Sequence, residues 1–169
     1  MSERETEMKE LNIYQLVPQH FSNESHPRGR LEENLLTLFS QLISNVNINH
    51  INSTVCSDSS KLIVAEIDRK YTNRGTVFGE IIGTATLIIM STPHGPVGYV
   101  HDVVVDEQHR GNGIGRKLML AIIDIARSNN LTELNLTTNS QKRPTAEALY
   151  VGLGFKQKPT GFYVLKLTQ

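Results

Sequence analysis

A chain of 169 residues has the length of one ordinary domain, and with 38% of its residues apolar and 20% charged it has the composition to bury a core. Its 17 basic and 17 acidic side chains balance, so it carries no cationic field of the kind that nucleic acid or an anionic membrane demands. Cys56 is the single cysteine, which excludes an internal disulfide and a thiolate metal cage; with no apolar run near the ~20 residues of a membrane span and no apolar centre in MSERETEMKE, a cytoplasmic protein without metal or membrane partner is expected.

Residues 1–10 are charged and aperiodic and read as a frayed tail ahead of one domain over 11–169. LNIYQLV alternates as a strand. HFSNESHPRGR, with Pro27 and Gly29, is a loop into a helix from Leu31 to Val46, where Leu31, Leu35, Leu38, Phe39, Leu42 and Ile43 recur at helical spacing. The Asn- and Ser-rich NVNINHINSTVCSDSS holds a weak second helix or none. KLIVAEI and EIIGTATLIIM are strands on either side of the long polar turn DRKYTNRGTVFG and suggest a hairpin; STPHGP is another turn. VGYVHDVVVD is almost unbroken and β-branched, the pattern of a central strand buried on both faces. Gly113 to Asn129 follows as a largely covered helix, TELNLT as a strand, PTAEALYVGLG as a helix with Pro144 in its first turn, and GFYVLKL as a closing strand. Strands alternating with helices after a hairpin make a mixed α/β sheet.

Chemistry enters at RGNGIG, where Gly111, Gly113 and Gly115 stand between the apolar strand and the helix. A helix N-terminus carries unpaired N–H groups and partial positive charge, so a glycine-rich entry forms an anion site in which phosphate touches main chain, and Arg110 or Arg116 adds charge. The same glycines also suit a plain tight turn. A P-loop needs Lys and Ser or Thr after its last glycine, whereas Gly115 precedes Arg116, Lys117 and Leu118. A dinucleotide fold places its glycine loop after the first strand, and several strands come earlier here.

VVVDEQHRGNGIGRKLM, followed about thirty residues later by ALYVGLGF, resembles the GCN5-related N-acetyltransferases (GNAT). Their signature is Arg or Gln, two residues, Gly, one residue, then Gly or Ala. Arg110, Gly113 and Gly115 fit it, and Gln108, Gly111 and Gly113 fit in a second register. The likeness runs from about Glu80 to Leu167 and implies a single-domain α/β fold, a mixed central β-sheet flanked by helices with a splayed central strand. It implies acetyl-CoA as acetyl donor, with pyrophosphate cradled by Arg110, Gly111, Asn112, Gly113, Ile114, Gly115 and Arg116, and pantetheine paired to the main chain of Val103, Val104 and Val105.

Acetyl transfer to an amine needs a proton acceptor, because an alkyl ammonium with pKa ~10.4 is mostly protonated at neutral pH. Related sequences carry acids where this chain reads His101 and Asp102; His101 is a competent base at neutral pH, and strand alternation would turn only one of the pair toward the acceptor. Tyr150 matches the family tyrosine that protonates the departing CoA thiolate. The family's asparagine seven residues before it is Arg143 here, Glu147 stands at a second such place, and Asn139 is a further candidate for the cofactor arm. The remaining histidines, His20, His26, His50, His94 and His109, read as surface residues. The resemblance implies an N-acetyltransferase acting on a primary amine of a small molecule or protein, with a homodimer through the C-terminal strands common among such proteins. A catalytically weak acyl-CoA-binding module and a CoA-independent interaction protein are the alternatives.

Overall fold

The computed structural model of the chain describes residues 10–22, 28–72, 75–77, 79–138 and 144–167. The chain divides into two compact units, Met1–Thr137 and Thr138–Gln169.

The first unit is built on a five-stranded open sheet of β1 (Asn12–Leu16), β2 (Ser60–Ile67), β5 (Glu80–Thr92), β6 (Gly95–Val105) and β7 (Leu134–Leu136), in the order β1-β2-β5-β6-β7. All neighbours are antiparallel except β6 and β7, which are parallel. A separate hairpin, β3 (Lys70–Thr72) with β4 (Gly75–Val77), occupies the segment read as one long polar turn. The middle position belongs to β5, whose Ile81–Leu87 stretch is buried without a break; β6 is an inner strand paired on both sides, but exposed at Tyr99, His101 and Asp102.

Helices cover both faces. Leu62 and Val64 of β2 face α2 (Arg28–Ser40) and α3 (Ile48–Cys56), joining Leu31, Leu35, Leu38, Phe39, Ile51 and Val55 in one cluster. Ile63 and Ala65, of opposite parity, face α4 (Ile114–Ser128), whose Ile114, Leu118, Met119, Ile122 and Ala126 form a buried helical stripe. A short α1 (Gln19–Ser22) and a 3-10 turn (Glu107–His109) complete the unit.

Two differences from expectation have local causes. The helix expected to reach Val46 stops at Ser40: Leu42 and Ile43 prolong the apolar spacing, but their amides bond back to Phe39 in a terminal turn. The asparagine-rich stretch does hold a helix, because the Asn47 side chain caps α3 by accepting from the Asn49 amide at 2.9 Å while Ile51 and Val55, four apart, bury one face.

Two β-bulges flank β5. On the β2 side the register steps from Ala65↔Gly83 to Glu66↔Ile81, inserting a residue in β5; on the β6 side it steps from Thr86↔His101 to Thr84↔Val104, inserting a residue in β6. Between β6 and β7 only Gly98, Tyr99 and Val100 find partners, and from His101 to Val105 β6 pairs, among the described residues, with β5 alone. Where β7 lies beside β6, a Cβ on Gly98 would fall 2.5 Å from Leu134 Cδ2 and 2.9 Å from the ends of Leu131 and Leu87, so a larger residue would make these leucine side chains shift.

In the second unit α5 (Pro144–Gly152) ends at Gly154 with φ 93°, a left-handed stop that glycine adopts freely. The expected closing strand is absent: 161–167 has no regular secondary structure, and Phe162, Tyr163, Val164, Leu165 and Leu167 are exposed. Their alternation satisfies a strand pattern, but a strand needs a partner ladder.

Candidate active site

The bulge in β6 shapes the centre of the site. Its inserted geometry holds Asp102 at φ 50°, a left-handed conformation uncommon outside glycine that Asp and Asn tolerate best, and the Thr84 hydroxyl donates to the Asp102 carbonyl at 3.3 Å. Strict alternation across 101–102 is lost. His101 is paired with Thr86, and of the pair expected to turn only one member toward the acceptor it is Asp102, with Thr86, that lines a recess. His101 also lies near-parallel to Tyr99, ring centroids 6.5 Å apart.

That recess, about 110 Å3, opens between β6 and the end of α2, the turn after it and α3. Phe39, Val46 and Ile51 give it apolar walls, and Asn47, His50, Thr86 and Asp102 give it polar groups. Loss of solvation against these walls holds the Asp102 carboxyl above the usual carboxylate range, with His101 pulling it part of the way back. His50, read from sequence as a surface residue, is exposed and also lines this recess. His20 is half-buried, its Nδ1 accepting from the Val17 amide at 3.1 Å and its pKa lowered by burial and then by Arg69.

Beyond the bulge, β6 runs into the glycine loop. Asp106 starts it: its amide donates to Ile82, and its carboxylate accepts from the Gln108 amide, from His109 Nδ1 and from Gln41 Nε2. Burial pushes this carboxyl up, but the bonds from Gln41, His109 and Gln108 outweigh it and leave the pKa below the usual range. Arg110, expected to supply charge to a phosphate, donates from Nε to the Val105 carbonyl at 3.0 Å and approaches Glu107 at 3.3 Å, which braces the loop. Asn112 Nδ2 closes the turn onto the His109 carbonyl at 3.1 Å.

Gly111 and Gly113 then take φ values of 82° and 73°. A Cβ at either would meet nothing within 4 Å, so it is the backbone conformation, with open space in front of it, that calls for glycine. Gly113 is the N-cap of α4 and offers no side-chain bond to the first turn, which Ile114, Gly115 and Arg116 begin. A turn of this kind ahead of a helix can hold an anion on main-chain amides. The side chain of Val104 is buried and those of Val103 and Val105 half-buried; Val104 and Val105 are paired with Thr84 and Gly83 of β5, and the Val105 carbonyl also accepts from Arg110.

Tyr150 lies in the second unit on α5, its ring edge-on to Phe155 at 6.0 Å, while the Phe155 amide donates to the Tyr150 carbonyl at 3.0 Å. Asn139 and Arg143 lie outside the described residues. Among the described residues no group of three or more His, Cys, Asp or Glu is placed to hold a metal ion, and no helix is long and apolar enough to cross a membrane. Sequence reasoning missed the bulge and Gln41. The first had a faint signal in an Asp inside a β-branched run; the second had none, because its partners lie more than sixty positions away.

The family model described as Acetyltransferase (GNAT) family matches residues 27–155. A glucosamine 6-phosphate N-acetyltransferase of Trypanosoma brucei brucei is 36% identical over 81 residues, 46% of this chain and 52% of that protein. N-acetyltransferase family 8 member 2 of Rattus norvegicus is 29% identical over 114 residues, 63% of this chain and 49% of that protein. The chain thus spans about half the length of the curated relatives it matches. The crystal structure of an acetyltransferase of Trypanosoma brucei superposes with a TM-score of 0.66 at 22% identity, covering 93% of this chain and all of that one, and shares the fold.

Proposed function

The chain belongs to the GNAT acetyltransferase family, and from that premise we propose that it transfers the acetyl group of acetyl-CoA to a primary amine by direct attack, with 11–169 acting as one catalytic domain. The observation that carries the reading is the glycine turn: left-handed Gly111 and Gly113 lead into α4 without a side-chain N-cap, at the end of a strand whose last five residues pair with β5 alone among the described residues. Amides of 111–116 hold the pyrophosphate, and the main chain of Val103 to Val105 that β5 and Arg110 do not take up pairs with the pantetheine arm. Bound acetyl-CoA supplies the activated thioester.

The acceptor amine enters the recess as an ammonium, attracted by the Asp102 carboxylate; His101 beside it takes the proton and frees the lone pair. As the C–N bond forms and the C–S bond breaks, the amine nitrogen loses its second proton to solvent, and Tyr150 donates one to the leaving thiolate. A small-molecule amine or an exposed protein amine fits this chemistry, and the amino sugar phosphate named for the trypanosomal relative is one acceptor to include in a panel.

Thermal unfolding with acetyl-CoA, CoA and ATP tests the reading. Ligand at ~100 times Kd adds ~2.7 kcal/mol to stability. A rise with the two CoA species and little with ATP is expected, followed by thiol release with an amine from the panel. Gly113→Asp should abolish the rise by placing negative charge at the phosphate site, and a normal rise in the folded variant would refute the cradle.

A further inference from the structure

One side chain joins the acceptor recess to the glycine loop. Gln41 sits in the turn directly after α2, two residues beyond Phe39 and two before Ile43, both of which line the recess. Its amide makes three contacts across 65 to 69 positions of sequence: Nε2 donates to Asp106 Oδ2 at 2.8 Å, while Oε1 accepts from the Glu107 amide at 3.2 Å and from Arg110 at 3.4 Å. These three partners start and brace the loop that ends in Gly111 and Gly113. A primary amide is the group that can do this, donating to a carboxylate from one end and accepting from two N–H groups at the other.

We infer that Gln41 is a positioning residue that ties the setting of the cofactor loop to the wall of the acceptor recess, so that acetyl-CoA held by 106–116 also steadies residues 41–47. The inference rests on the acetyl-CoA reading above. Fixing 106–116 around a pyrophosphate fixes Asp106, Glu107 and Arg110, and through them the one side chain that leads into the 41–47 turn. That turn provides Ile43, Asn45, Val46 and Asn47 to the recess, so an acceptor meets a steadier wall when the donor is in place.

Amide hydrogen exchange on the wild-type chain with and without acetyl-CoA is the first test. Slower exchange is expected both at 106–116 and at 41–47; protection of the loop with none at 41–47 overturns the inference. The second is Gln41→Met, which keeps the length of the side chain and deletes both polar atoms. Its melting temperature without ligand should fall by a few degrees, the loss of hydrogen bonds already present in the free chain, its Kd for acetyl-CoA should rise severalfold as the loop loses its brace, and its protection at 41–47 should no longer respond to ligand. A ligand response at 41–47 that survives in Gln41→Met overturns the inference, since direct contact with the acetyl group then explains it. Failure of wild type to bind acetyl-CoA at all removes the underlying reading and this one with it, an outcome distinct from binding without transmission.

Discussion

The two bulges beside β5 each carry an acid, and the two acids live under opposite conditions. Glu66, at the bulge with β2, is fully buried and saturated: Arg69 reaches its Oε2 from Nε at 2.8 Å and from a terminal nitrogen at 2.6 Å, and the Gly79 amide donates to Oε1. Arg69 also lies 4.4 Å above the Tyr14 ring, so the cation is held on two sides, and burial followed by the Glu66 charge pushes the Tyr14 hydroxyl far up. Asp102, at the bulge with β6, faces a recess from a left-handed backbone, with its carboxyl pushed up and no side-chain hydrogen bond of its own among those described. A saturated acid holds strands together, whereas one kept uneasy at the edge of a recess is available to a ligand.

Breaking the saturated acid should produce the largest effect on folding. Glu66→Ala leaves Arg69 without its carboxylate and should cost about 3 kcal/mol in denaturant unfolding, with acetyl-CoA affinity of the folded fraction unchanged. A variant that folds normally but loses turnover would erase the contrast. Asp102→Asn should do the reverse: about 10- to 100-fold lower kcat/KM toward the amine, the loss of a charge-assisted contact, in a chain that folds well because Asn tolerates the same backbone.

That tolerance sets the third effect. Asp102→Ala should be less stable than Asp102→Asn by roughly 1–2 kcal/mol, since alanine has no local hydrogen bond to offset a left-handed φ. Equal stabilities would mean that the bulge relaxes. The smallest effect carries a sign in pH. A folded-state pKa above the unfolded value means that folding disfavours the charged Asp102, so Asp102→Asn should melt slightly higher than wild type at neutral pH. That advantage should fade as pH falls through the raised pKa toward 3.8, the unfolded reference. A gap that widens on acidification would place the charge in a favourable environment instead.

Physical reach explains what the amino-acid order made legible. β1, β2, β5, α4 and α5 follow from local period and turn chemistry, each within a few residues of expectation. The glycine turn was readable for the same reason, since its conformational demand is met by residues within six positions. The Asp102 bulge was not, because a bulge is a mismatch between two strands and exists only in their register. The recess and the Gln41 ties depend on segments brought together from opposite ends of the unit. The last strand misled for the converse reason: 161–167 has the right alternation, and period alone does not reveal whether a partner strand is there.

Gly98 marks how closely β6 and β7 are fitted. The place of its missing Cβ is crowded by the terminal methyl groups of Leu134, Leu131 and Leu87. A larger residue there presses first on those three leucine tips, so its cost falls on the packing beneath the sheet. The ladder that joins β6 to β7 is thereby cushioned by side chains that can turn aside.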